Sequence, residues 1–193
     1  MAMSDIVIHE NKEFSGVDYS EKKLRDRSFI KCKFVGCNFT KSDIRGNDFE
    51  TCEFICCNFS LTVVGGTGFR NAHFKESKLL GVNFSECNKF MFSFAFDDCY
   101  LDYSSFFGTK LKKTNFNRCS LKETDFSETD LSGAVFLDCD LTGTHFSKTI
   151  LEKADFRMAK NFTIDPENNK LKHAKFSAFN LDGLLYKYQI IIE

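Results

Sequence analysis

Nine cysteines among 193 residues are the first side chains in this sequence that suggest chemistry, because thiolates bind metal ions and react with oxidants. Cys56 stands apart, whereas the other eight share one position of a five-residue period: Cys32, Cys37, Cys52, Cys57, Cys87, Cys99, Cys119 and Cys139. No two cysteines have the CxxC spacing of zinc or redox sites. The sequence therefore predicts small, reduced, apolar thiols inside the fold and no metal site.

The four histidines do not complete a catalytic site. His73 and His145 fall at positions of the same period that are expected to point outward, and no histidine shares a spacing with a cysteine pair. The sequence has no Gly-rich nucleotide-binding loop and no recognisable pair of nucleophile and base. We therefore expect no catalytic residue and no cofactor, and a protein that is not an enzyme.

Acidic side chains are the remaining candidates for a functional surface. The chain has a formal net charge of −1, but residues 121–156 hold eight acids against three lysines, a net charge of −5. All eight acids occupy outward positions of the period: Glu123, Asp125, Glu128, Asp130, Asp138, Asp140, Glu152 and Asp155. This stretch is either an ordinary solvated face or a local surface that binds a basic partner.

The period itself identifies the backbone that must position these side chains. From Phe14 to Phe84 every fifth residue is large and apolar, and the same holds from Met91 to Phe156, which gives 29 such positions without an exception. The residue two places before each of them is small throughout the second half. Inward residues two apart are typical of a strand, so the other three residues must turn a corner. A five-residue side of this kind builds a four-sided coil of about 20 residues.

The order of residue types supports four sides per coil. Phe and Leu alternate without exception from Phe96 to Phe156, so two opposite walls are predicted to be lined by Phe and the other two by Leu. Twenty-nine sides make about seven coils, which at ~4.8 Å per coil give a rod about 34 Å long. A core filled in this way leaves no interior pocket, so any function lies on the exterior.

The pattern resembles the pentapeptide repeat proteins. The motif of Ala or Cys, then Asp or Asn, then Leu or Phe stands here as CNFTK, CEFIC, CNFSL, TDLSG, CDLTG and ADFRM. The resemblance implies an all-β, right-handed, quadrilateral parallel β-helix over residues 13–158. The seven-residue step from Phe84 to Met91 indicates a two-residue insertion near 85–90, which is either a repaired coil junction or a small exposed loop for a partner.

Residues 159–193 are expected to form a linker, a short helix over 178–188 with Ser177 as its cap, and an apolar final strand. This segment either caps the open end of the rod or also joins two chains into a homodimer. The dimer contact would use the apolar side chains Leu181, Leu184, Leu185, Tyr188, Ile190, Ile191 and Ile192.

Within the family, the sequence is most similar to the Qnr-type quinolone-resistance and microcin-immunity members. The resemblance implies a DNA-mimicking dimer that binds a type II topoisomerase, DNA gyrase, through the acids of 121–156 and protects it from quinolones or toxins. Five net charges over ~9 Å of rod match the one charge per ~1.7 Å of duplex DNA. The competing interpretation is a stiff interaction rod or scaffold with another protein partner. We expect no direct nucleic-acid binding and no membrane contact, and without an export signal a cytoplasmic location.

Overall fold

Each inward residue stacks on its equivalent about one coil away, and the stacks make a four-sided rod. The computed structural model, which describes residues 6–190, is a parallel β-solenoid of about seven turns with one short C-terminal helix. We number its walls by their inward residues. Wall 1 begins with Phe14, wall 2 with Tyr19 and wall 3 with Leu24, while wall 4 contains Phe29 and begins one coil earlier with His9.

Regular strands occur on two adjacent walls. The sheet of wall 4 has four parallel strands, β1 (Val7–Glu10), β3 (Arg27–Ile30), β5 (Asp48–Glu50) and β7 (Gly68–Arg70). The sheet of wall 1 has seven parallel strands, β2 (Glu13–Ser15), β4 (Lys33–Val35), β6 (Glu53–Ile55), β8 (Ala72–Lys75), β9 (Phe94–Asp97), β10 (Asn115–Asn117) and β11 (Val135–Leu137). On walls 2 and 3, single parallel bridges between residues one coil apart join successive coils.

The core is a set of aromatic and aliphatic stacks. On wall 1 the rings of Phe116 and Phe136 lie 5.1 Å apart and are 2° from parallel. Between walls the rings meet edge to face, as Phe116 does with Phe126 of wall 3 at 5.8 Å. From Phe96 onward Phe fills walls 1 and 3 and buried Leu fills walls 2 and 4, so the alternation prediction is confirmed.

Each corner is made by the second residue after the inward one. That residue has a left-handed backbone conformation in nearly every side, as at Glu128 with φ of 58°. Such a conformation costs a non-glycine residue roughly 1–2 kcal/mol. The corner N–H is hydrogen-bonded to a carbonyl of the next coil, at 2.8 Å from Glu128 to Ser147, and this bond offsets part of the cost.

The two extra residues lie later in the chain than the sequence indicates. Asn88 still pairs with Gly68, twenty residues earlier, but Phe94 pairs with Ala72, twenty-two residues earlier. The insertion therefore lies between Asn88 and Phe94, which overlaps only the end of the predicted stretch 85–90. The prediction that Met91 points inward is wrong. Its side chain is exposed, and Phe94 fills the core there because it packs on the Phe69 ring at 5.4 Å.

The coils extend beyond residues 13–158 at both ends. Strand β1 begins at Val7, and it carries His9 inward, where the imidazole stacks on Phe29 at 4.9 Å. At the other end Lys175 still forms a bridge with Asp155. No helix within residues 6–190 is long and apolar enough to cross a membrane.

The C-terminal segment is a broken helix that covers the end of the rod. A 3-10 turn (Ala178–Asn180), helix α1 (Asp182–Leu185) and a second 3-10 turn (Tyr186–Tyr188) follow one another, in place of the continuous helix predicted over 178–188. Ser177 accepts a hydrogen bond from Phe179 N–H, as expected of a cap. Gly183 touches Phe162 so closely that no side chain fits between them, which holds α1 against the core.

Candidate protein-binding surface

In many sides, the position two residues before the inward residue is a buried hydrogen-bonding site. The eight predicted cysteines are buried there as free thiols, and Cys56 is exposed. The thiol of Cys52 donates to the carbonyl oxygen of Phe29 at 3.3 Å, one coil earlier. Thr144 makes the same bond to Leu121 at 2.8 Å. Small size therefore explains only part of the choice, because Cys and Thr also supply a donor to a buried carbonyl.

The environment of these thiols makes them poor nucleophiles and poor metal ligands. Burial raises the pKa of Cys52 and of Cys57 to about 12, so neither forms a thiolate near neutral pH. Burial also raises the pKa of Cys87. Within residues 6–190, no three His, Cys, Asp or Glu side chains come together in a way that suits a metal ion.

Four of the eight predicted acids build the corners of the fold. The carboxylate of Asp125, just before the inward Phe126, accepts a hydrogen bond from the N–H of Ser127 at 2.9 Å. Asp130, Asp140 and Asp155 make the same contact with the residue two places on. Asn58 does so too, which explains the preference for Asp or Asn at this position. These aspartates are half-buried, and their first role is to stabilise the turn by accepting its N–H groups.

Hydrogen bonds and nearby cations lower the pKa of Asp130 and Asp140 and favour their ionised forms. Burial by itself would raise the pKa of Asp140, but bonds from Thr142 and Asn161 and the nearby Lys122 lower it to about 2. The pKa of Asp130 is also lowered, because Ser132 and Lys112 outweigh the effect of burial.

The pKa of Asp155 is lowered in turn, chiefly by its contact with Arg157. Asp130, Asp140 and Asp155 thus each have a cationic neighbour, at 3.2 Å for Lys112, 3.2 Å for Lys122 and 2.7 Å for Arg157. The charge that they offer to a partner is correspondingly reduced.

Three other acids project from left-handed corners and are exposed: Glu123, Glu128 and Asp138. His145 approaches Glu123 at 3.6 Å, and Lys148 approaches Glu128 at 3.9 Å. The predicted outward positions of His73 and His145 are confirmed, but each has an acidic neighbour that the sequence did not indicate. His73 contacts Asp97 at 2.5 Å. The eighth acid, Glu152, is half-buried on wall 4.

The eight acids form a belt around the rod and are not gathered on one wall. Asp155 lies on wall 1, Asp140 on wall 2, Asp125 on wall 3 and Asp130 on wall 4. The densest part is wall 3, where Asp125 stands between the corner acids Glu123 and Glu128. The sequence alone did not single out these three acids, because acids follow one another along the chain on all four walls in turn.

The predicted apolar tail surface is divided by the broken helix. Leu184 packs against the core, and Leu185 is half-buried. Leu181, Tyr188 and Ile190 are exposed as predicted, while Ile191 and Ile192 lie outside the described residues. The structure adds Tyr186 and Phe179, the latter with 99% of its surface exposed. The sequence did not predict this exposure, because Phe179 lies outside the apolar face that a continuous helix would form.

Comparisons with known proteins agree with this architecture. A family model described as a pentapeptide repeat region matches residues 47–126 and 109–185, and a second, for eight copies of the repeat, matches residues 23–60. A comparison with curated protein sequences returned no significant match.

Solved structures with a similar fold include two trypsin-treated variants of QnrB1, a plasmid-mediated fluoroquinolone resistance protein. The first is 17% identical with a TM-score of 0.54, and the match covers 97% of this chain and 98% of that one. The second is 18% identical with a TM-score of 0.52, over 96% and 99%. HetL from the cyanobacterium Nostoc is 19% identical, with a TM-score of 0.39, over 89% and 85%.

Proposed function

Because the chain belongs to the pentapeptide repeat family, we propose that it is a non-enzymatic protein-binding rod whose partner is a type II topoisomerase such as DNA gyrase. The observation that carries the proposal is the solid interior. The inward side chains of the middle coils are almost fully buried and stack ring on ring, so the rod offers its outer surface for binding. A stiff exterior of fixed spacing suits recognition of another macromolecule.

The acidic belt supports a topoisomerase as the partner. A type II topoisomerase binds the phosphates of duplex DNA with basic side chains, and a rod with regularly spaced carboxylates meets the same groups. The exposed corner acids Glu123, Glu128 and Asp138 are the ones available for that contact. The fold is shared along nearly the whole chain with QnrB1, a fluoroquinolone resistance protein, and this supports protection from quinolones as the outcome of binding.

A homodimer through the C-terminal segment would lengthen this surface. The exposed Phe179, Leu181, Tyr186, Tyr188 and Ile190 provide apolar contacts at the end of the rod nearest the acidic belt. Two rods joined there span ~70 Å, near the length of 20 base pairs. We propose that the dimer axis passes through this segment and brings two belts together.

A supercoiling assay with purified gyrase, with and without a quinolone, tests the proposal. Wild-type protein should preserve supercoiling at drug concentrations that otherwise stop it. The triple variant Glu123→Lys, Glu128→Lys, Asp138→Lys should lose this protection. The variant Glu21→Lys, Asp26→Lys is a matched control, because both residues occupy left-handed corners of the first coil. If neither activity nor drug sensitivity changes with wild-type protein, gyrase is not the partner.

A rod for another protein partner is the second candidate, and the neutralised aspartates favour it. Asp130, Asp140 and Asp155 are already paired with cations of this chain. The belt therefore carries less uncompensated negative charge, and resembles DNA less, than its sequence suggests. Such a rod would bind its partner equally well after reversal of the three corner acids. The same triple variant therefore separates the two functions.

A further inference from the structure

The two-residue insertion opens a gap in the backbone ladder of wall 4. One coil further on, the ladder is complete: Asp130 N–H bonds to Thr109 at 2.9 Å, and Leu111 N–H bonds to Asp130 at 2.8 Å. Within residues 6–190, no backbone hydrogen bond joins segment 87–91 to segment 110–112. The N–H and carbonyl of Lys110 and the carbonyl of Lys112 are therefore left without backbone partners. Such an edge is a template for another strand.

The loop that leaves this edge bare is itself well anchored. The side chain of Asn88 accepts a hydrogen bond from Phe90 N–H at 3.0 Å, and Ser93 Oγ donates to the Met91 carbonyl at 3.2 Å. Phe92 packs edge to face on Phe94 at 4.6 Å. Asn88 N–H bonds to the Thr67 carbonyl at 2.9 Å and Ser93 N–H bonds to the Phe69 carbonyl at 3.1 Å, so both ends of the loop are held to the preceding coil. The gap beside Lys110 is therefore a fixed feature of the surface.

A groove follows the bare edge. It has a volume of about 360 Å3 and is lined by Lys89, Met91, Phe92, Gly108 and Lys110. Lys89 spans it, with its ammonium 3.5 Å from the carbonyl oxygen of Gly108. Phe90 and Phe107, which neighbour lining residues in the sequence, are 67% and 44% exposed.

The charge around the groove is positive, unlike the belt further along the rod. Lys89 and Lys110 line it, and Lys112 and Lys113 follow Lys110 in the chain. Lys112 is paired with Asp130 at 3.2 Å, but within the described chain Lys89, Lys110 and Lys113 form no ion pair. Two unpaired lysines in the lining of an apolar groove complement a ligand that carries both carboxylates and an apolar side chain.

We propose that an extended acidic peptide segment of a protein partner binds here as an added strand on the Lys110–Lys112 edge. Its backbone takes the hydrogen bonds that the insertion removed, from Lys110 N–H and to the carbonyls of Lys110 and Lys112. One apolar side chain enters the groove beside Met91 and Phe92, and alternate carboxylates meet Lys89 and Lys110. Main-chain pairing with side-chain pockets is a recurring mode of peptide recognition. This site is separate from the acidic belt and is of opposite charge.

A synthetic peptide of seven residues tests the proposal, with glutamates alternating with apolar residues around a central phenylalanine. Fluorescence anisotropy of the labelled peptide with the full chain should show saturable binding. Lys110→Glu should weaken binding by at least about tenfold. Lys170→Glu is the matched control, because Lys170 stands at the same position of wall 4 three coils on, and it should bind like wild type. A thermal melt of each variant monitors folding.

A second probe leaves the protein unchanged. The same peptide with methylated backbone nitrogens keeps its charge but cannot pair with the Lys110 and Lys112 carbonyls, and it should bind at least about tenfold more weakly. The proposal is overturned if wild type does not bind the peptide, if Lys170→Glu weakens binding as much as Lys110→Glu, or if methylation has no effect. Binding of phosphatidylserine vesicles that Lys110→Glu abolishes, without any binding of the peptide, would also overturn it, since it would assign the surface to a membrane.

Discussion

Thr144 Oγ1 donates a hydrogen bond of 2.8 Å to the carbonyl oxygen of Leu121, a residue 23 positions earlier and one coil away. The same carbonyl accepts the N–H of Thr124, so one oxygen ties a corner to the next coil. Equivalent bonds recur with Thr, Ser and Cys donors along the rod. Where the small residue is Thr, Ser or Cys, it therefore links two coils by a hydrogen bond in addition to fitting the narrow space.

Replacing that donor should weaken the rod. Thr144→Val keeps the shape of the side chain but removes the hydroxyl, and it should lower the free energy of unfolding by about 1 kcal/mol. Thr144→Cys keeps a weak donor and should cost less. Urea denaturation followed by circular dichroism measures both changes. A valine variant as stable as wild type would show that the bond contributes nothing.

Thiol reactivity should separate one cysteine from the other eight. Burial holds the pKa of Cys52 and Cys57 at about 12, and the buried thiols are also shielded from reagents. In the folded protein, titration with a disulfide reagent at pH 8 should therefore modify Cys56 first, and all nine only after denaturation. Cys56→Ser should abolish the rapid phase. A rapid phase that survives this change would mean that the coils open readily.

Acid should destabilise the rod partly through Asp140. Its pKa is about 2 in the folded protein, lower than the ~3.9 of an unfolded chain, so its ionised form favours folding. That stabilisation is present above pH 4 and is lost as the pH falls toward 2. Asp140→Asn should have a flatter dependence of stability on pH in this window, measured by thermal melts. Parallel curves for the two proteins would contradict the assignment.

The association state should depend on the C-terminal segment. Phe179→Asp together with Ile190→Asp places charge on two exposed apolar side chains and should convert a dimer to a monomer in light scattering. Tyr103→Asp changes an aromatic residue that is 70% exposed on a middle coil and should leave the dimer intact. A monomeric wild-type chain at micromolar concentration would rule out the proposed dimer.

Sequence reasoning succeeded where the structure depends on neighbours within one five-residue side. The period of Phe14 to Phe84 predicted the inward residues, and the shared position of the cysteines predicted their burial, because both follow from the alternation of a short strand. It failed at Met91, since nothing local tells on which side of an insertion the ladder resumes. It also missed the corner role of Asp125, whose carboxylate bonds to its own turn.

The amino-acid sequence by itself determined the four-sided coil and its packed interior, because its apolar residues recur with a period of five. These features repeat every five residues, so each side encodes them independently. Only the tertiary structure decided which acids share a wall, where the insertion leaves Lys110 without a backbone partner, and how α1 seals the end. Those relations join residues about twenty positions apart, and they depend on how successive coils settle against one another.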